Sequence, residues 1–101
     1  MNAYELSILA ESDLEEILEY TFESFGQNQM YKYMEQLEHC LNQLVSSRGS
    51  YRRLDVGGKS VRSLRCKKHY IFAVERQDLP LLIIAVLHER MDLVKRIQNR
   101  L

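Results

Sequence analysis

The sequence predicts an α+β fold in the order β-α-α-β-β-β-α: an antiparallel-rich four-stranded sheet covered by a helical hairpin, with a short C-terminal helix. Three observations predict it. Apolar residues recur at helical spacing between residues 14 and 45. From Ser60 the period falls to two. Leu81–Leu87 is then apolar at every position, as in a strand buried on both faces.

Tyr4-Glu5-Leu6-Ser7-Ile8 alternates apolar and polar side chains and reads as a short strand. Ser12 and Glu15 have the spacing of a capping box, so the first helix is expected to begin there. Asp13, Glu15 and Glu16 then lie at the positive end of its dipole. Leu14, Ile17, Leu18, Thr21 and Phe25 share one face, and Gly26 stops the helix. A second helix starts near Asn28 with the stripe Met30, Met34, Leu37, Leu41 and Leu44, widened by Tyr33, Cys40 and Val45. So short a connection predicts an αα-hairpin. Ser46 to Lys59 reads as a loop that ends at Gly57-Gly58. Ser60–Cys66 and Tyr70–Glu75 read as strands joined by the basic turn Lys67-Lys68-His69, and Arg76–Pro80 as the next turn. Leu81–Leu87 is expected as the central strand and as the partner of the first. Asp92 can cap a last helix with Leu93, Val94, Ile97 and Leu101 on one side and Lys95, Arg96 and Arg100 on the other.

A chain of 101 residues, 46% hydrophobic, fits one globular domain and argues against disorder. No apolar run approaches the roughly 18 residues of a membrane span, so no membrane partner is expected. Met1-Asn2-Ala3-Tyr4-Glu5 lacks the basic and apolar regions of a secretion signal. Cys40 and Cys66 have no metal-ligand spacing and are expected as reduced thiols in or near the core of a cytoplasmic protein. There is no P-loop, GxSxG, HExxH or zinc spacing, so no cofactor is expected.

The zero net charge conceals a dipole. Residues 1–47 hold nine acids and one base, whereas residues 48–68 hold eight bases (Arg48, Arg52, Arg53, Lys59, Arg62, Arg65, Lys67, Lys68) and one acid, Asp55. Such polarity can steer a partner, or it can pair acidic helices with basic strands inside the domain. Arg62 and Arg65 lie on one strand, Lys67, Lys68 and His69 on the following turn, and His88-Glu89-Arg90 just beyond the all-apolar strand. A sheet places such groups rigidly, as functional groups often are. They can equally be charges that keep strand edges from pairing. His39 reads as a surface residue of the second helix.

Four segments resemble the ParE branch of the RelE/ParE superfamily. They are Tyr4-Glu5-Leu6 with Ala10–Ile17 and Tyr20-Thr21; Gly26–Gln29 leading into the Tyr33…Leu37 helix; Val61–Cys66 followed by His69–Phe72; and Leu87-His88-Glu89-Arg90-Met91-Asp92-Leu93. The last, placed after the final strand, is the most specific. The resemblance implies the same RelE/ParE-like two-layer fold. It implies a toxin of a type II toxin–antitoxin system that inhibits DNA gyrase through its A subunit, is neutralised by a ParD-like antitoxin and has no catalytic site. The same fold also hosts ribosome-dependent mRNA endoribonucleases of the RelE kind, so fold alone does not choose. That branch tends to carry an arginine where this chain has Ile71, and a late tyrosine or histidine, for which His88 is the one candidate. A plain nucleic-acid-binding module is disfavoured by the zero net charge and the acidic N-terminal half. Arg62, Arg65, Lys67, Lys68, His69, His88, Glu89, Arg90, Met91 and Arg96 are the candidates for contacts to the target or the antitoxin.

Overall fold

The computed structural model describes residues 4–46 and 49–101. Arg48, one of the eight clustered bases, and the first three residues lie outside them. The elements are β1 (Tyr4–Leu6), α1 (Ile8–Phe25), α2 (Gln27–Val45), β2 (Arg52–Val56), β3 (Lys59–Cys66), β4 (His69–Val74), β5 (Leu81–His88) and α3 (Leu93–Arg100). The strands form one sheet in the order β1-β5-β4-β3-β2. β1 pairs with β5, as the sequence suggested, and runs parallel to it, whereas the other neighbours are antiparallel.

The sheet has five strands rather than four. β2 falls in the segment read as loop, where Arg52-Arg53-Leu54-Asp55-Val56 forms an edge strand against β3. Gly57 and Gly58 close the β2–β3 hairpin with φ of 61° and 82°. Two successive positive φ values give the twist that tight hairpins need, and glycine reaches them without a steric cost.

α1 begins earlier than the Ser12 capping box implied. Ser7 is its N-cap, and its side chain accepts a hydrogen bond from the Ala10 N–H at 3.1 Å. The Ser7 N–H donates to the Ile83 carbonyl, so strand pairing ends and the helix starts at one residue. Ser12 is an exposed residue within the helix. Gly26, at φ 90°, is the whole connection between α1 and α2.

The hairpin buries Tyr33, Leu37, Leu41 and Leu44 against Cys66, Ile71, Ala73, Ile83 and Val86 on one face of the sheet. Phe25 and Met34 stand outside this cluster and are exposed, because helical periodicity marks a face but not how far the underlying sheet extends. The other face forms a second cluster, in which Ile97 and Leu93 of α3 cover Val61, Phe72, Ile84, Ala85 and Leu87. Val94, expected on that apolar side, points to solvent. β5 is an interior strand, though the middle of the five is β4.

β5 is apolar throughout because both of its faces are covered, and a bulge sets which residues face which side. Phe72 pairs with Ala85 and Ala73 with Ile83, which leaves Ile84 as an extra residue. Ile83 and Val86 therefore face the hairpin, while Ile84, Ala85 and Leu87 face α3.

Cys40 and Cys66 are joined in a disulfide between α2 and the end of β3, with Cα atoms 6.1 Å apart. This overturns the expectation of two reduced thiols. The helix stripe and the strand end place the two Cα atoms within the separation that a disulfide spans.

Candidate functional site

The end of the sheet where β3 turns into β4 and β5 runs out brings together most of the candidates. Cys66 pairs with His69 across β3 and β4, so Lys67 and Lys68 form a tight turn. Lys67 holds the left-handed conformation with φ 58°, uncommon for a residue with a side chain. His69 in turn pairs with His88 across β4 and β5. The Lys68 carbonyl accepts the Glu89 N–H at 2.9 Å, which fastens the segment after β5 to the turn.

Arg65 and Glu89 form the main ion pair of this end, Nη2 to Oε2 at 2.7 Å. The Arg65 Nε–H donates to the Lys67 carbonyl, and its guanidinium lies 5.8 Å from the Tyr70 ring centre. Beyond β5 the chain curls tightly. The Met91 N–H donates to the His88 carbonyl and the Arg90 N–H to His88 Nδ1. Arg90, Met91 and, on α3, Arg96 are exposed. So are Lys67 and Lys68.

Tyr33 is a member that sequence reasoning missed. Its hydroxyl is hydrogen-bonded to His69 Nδ1, and the His69 ring meets the His88 ring edge-on with centres 5.2 Å apart. Burial pushes the Tyr33 hydroxyl up to about 12. Burial, and then the neighbouring His88, lower the pKa of His69 from its ordinary value, while Glu89 pulls it the other way. A neutral phenol therefore faces a neutral imidazole at pH 7. The available signal was a hydroxyl-bearing aromatic set within an apolar helical stripe.

Arg62 does not join this end. Residues three apart on a strand point to opposite faces, and Arg62 turns toward the hairpin. Its Nη1 donates to the Leu44 and Val45 carbonyls at 2.9 and 3.2 Å, its Nε to Glu75 at 3.1 Å, and its guanidinium lies over Tyr51. A cation there neutralises the negative end of the α2 dipole. Burial raises the pKa of Glu75, but hydrogen bonds from Arg62 and Arg53 outweigh it and hold the carboxyl below its usual range.

Chemically, the end of the sheet offers imidazoles and exposed cations around a fixed ion pair. Among the described residues no group of three His, Cys, Asp or Glu side chains is placed to hold a metal ion. No described helix is long and apolar enough to cross a membrane.

A hairpin on one face of a β1-β5-β4-β3-β2 sheet, with the His88–Leu93 segment leaving its interior strand, defines a protein of the RelE/ParE type. Residues 4–93 match the family described as the ParE toxin of type II toxin-antitoxin system, parDE. The chain is 38% identical to Toxin ParE of Escherichia coli over 101 residues, covering all of this chain and 98% of the relative. It is 29% identical to Toxin ParE1 of Mycobacterium tuberculosis over 89 residues, 88% of this chain and 91% of the relative. The chain belongs to the ParE toxin family of type II toxin–antitoxin systems, and membership implies a cognate antitoxin as partner.

Proposed function

We infer that this toxin acts in the cytoplasm by binding DNA gyrase, through its A subunit, and that a ParD-like antitoxin neutralises it. The observation that carries the reading is the rim at the sheet end. Lys67, Lys68, Arg90 and Met91 are exposed around a fixed Arg65–Glu89 pair, with Arg96 following on α3. Cations around an apolar side chain, held on a rigid scaffold, suit recognition of a protein surface. The exposed basic residues of β2 and the β3–β4 turn suit an acidic, apolar antitoxin segment that folds on binding.

Ile71 supports a toxin that binds rather than cleaves. It is fully buried in the hairpin-side core, where the nuclease branch carries a phosphate-holding arginine. One observation favours the second reading, a ribosome-dependent mRNA endoribonuclease: the His69–His88 pair lies beside exposed cations, and cleavage of RNA needs a proton acceptor near a phosphate-binding charge. A supercoiling assay with purified gyrase, run beside a cell-free translation assay, tests the two. Lost supercoiling or accumulating cleaved DNA, with message intact, is expected. Codon-specific message cleavage with supercoiling untouched overturns the gyrase reading.

A further inference from the structure

The Cys40–Cys66 bond lies beside an open cleft of about 480 Å³ whose walls include Glu35, Gln36, His39, Arg65 and Lys67. That volume is in the range that small ligands occupy. Arg65 is held by Glu89, so the cation that these walls leave for an anionic ligand is the exposed Lys67, with Glu35 as their one carboxylate. The two sulfurs are not equivalent. Cys66 is 2% exposed, whereas Cys40, on α2, is only half-buried.

We propose that this cleft is a thiol-exchange site for an anionic low-molecular-weight thiol of the glutathione kind, which makes and breaks the Cys40–Cys66 bond. The thiolate attacks the accessible Cys40 sulfur. A mixed disulfide forms there, the internal S–S bond breaks, and its electron pair leaves on Cys66, which takes a proton. A second thiolate attacks the outer sulfur of the mixed disulfide and releases Cys40 as a thiol. Two thiols are thereby oxidised to one small disulfide while the protein bond is reduced to two thiols. Run backwards, the small disulfide is the oxidant that restores the bond.

The consequence is mechanical. The bond ties α2 to the end of β3, one strand away from the Tyr33–His69 contact, and closes a sequence separation of 26 residues. A cross-link over such a loop restricts the unfolded chain, so the oxidised toxin is the more stable form. Redox state then sets how firmly the hairpin sits on the sheet. The inference goes beyond the gyrase reading and does not depend on it.

The test equilibrates the whole protein in buffers of reduced or oxidised glutathione. Thiols are counted by alkylation and mass, and thermal unfolding is followed in the same samples. Two alkylated cysteines in the reduced sample and none in the oxidised one are expected, with the oxidised form melting about 10 °C higher. Cys66→Ser should retain one glutathione on Cys40, and Lys67→Glu should slow reduction by glutathione several-fold more than reduction by uncharged 2-mercaptoethanol. Two free thiols after oxidation, or equal melting temperatures, would overturn the switch. Equal slowing of both reductants would overturn the cleft as a site for anionic thiols.

Discussion

Asp13 and Arg100 form a bidentate pair across a gap of 87 residues. Arg100 Nη1 lies 2.5 Å from Oδ2 of Asp13, and Nη2 lies 3.0 Å from Oδ1. The pair closes the edge of β5 that β1 is too short to cover. Asp13 Oδ2 accepts the Val86 N–H at 2.9 Å, and Arg100 Nη1 donates to the carbonyl of the bulged Ile84 at 2.9 Å. α1 and α3, on opposite faces of the sheet, are thereby joined around its edge.

Asp13→Ala should accordingly cost about 3 kcal/mol, because it strands a guanidinium that is 14% exposed and leaves a strand N–H without its acceptor. Asp13→Ala/Arg100→Ala should cost less than the two single losses added, since each single change already breaks the pair. Urea unfolding of the three variants measures this. Additive losses would mean the two side chains act independently.

Arg62→Glu and Arg65→Glu should behave differently although both lie on β3. Arg62→Glu places a carboxylate against two helix carbonyls and Glu75, and should lower stability by about 3 kcal/mol. Arg65→Glu, on a side chain 57% exposed, should leave the unfolding midpoint nearly unchanged and weaken antitoxin binding. Unfolding and calorimetric titration together separate the two. Arg65→Glu with unaltered affinity would remove this end of the sheet as the antitoxin contact.

That contrast shows what could be read in the sequence. The two-residue period of β3 already places Arg62 and Arg65 on opposite faces, whereas their nearness in sequence suggests one patch. The hairpin stripe and the Leu81–Leu87 run were legible because burial imposes periodicity. β2 was obscured because edge strands carry charges, as Arg52, Arg53 and Asp55 do here, though Gly57-Gly58 between alternating runs is a hairpin signal. The Cys40–Cys66 and Asp13–Arg100 contacts arise only when α2 and α3 dock, which local patterns do not encode.

Ile84→Ala should lower stability by about 2–5 kcal/mol through lost burial and a residual cavity. Ile84 is 4% exposed and packs in the cluster that α3 covers. Its position as the extra residue of the bulge leaves no cross-strand neighbour on β4 to fill the space. A urea midpoint unchanged from the parent would mean that the α3 face contributes little to the fold.

His69 should titrate below 6.5, and its lowered pKa makes stability depend on pH. The neutral form is favoured in the folded chain, so this contribution is present above about pH 6.5 and is lost as the pH falls toward the folded value. Burial is the larger cause and His88 the next. His88→Ala should therefore raise the His69 midpoint only part of the way. Imidazole proton resonances followed by NMR between pH 4 and 8 report this, and a full return to 6.5 would make the charge of His88 the dominant cause.

His88→Ala also separates the two functional readings. His88 supports the turn through its Nδ1, which accepts the Arg90 N–H at 3.1 Å, and it packs edge-on against His69. In a protein that binds gyrase, the substitution loosens one rim segment. Inhibition of supercoiling should then weaken by less than about tenfold, because one rim side chain seldom dominates an interface. In a ribonuclease, His88 is the late proton-transfer group, and its loss should lower message cleavage by about 10²–10⁴-fold. A urea unfolding midpoint measured on the same preparations keeps misfolding from mimicking either result, since an unfolded variant loses whichever activity the parent has. A modest shift in supercoiling with intact message supports the gyrase reading. Cleavage by the parent that disappears in His88→Ala, with supercoiling untouched in both, assigns the toxin to the ribonuclease branch.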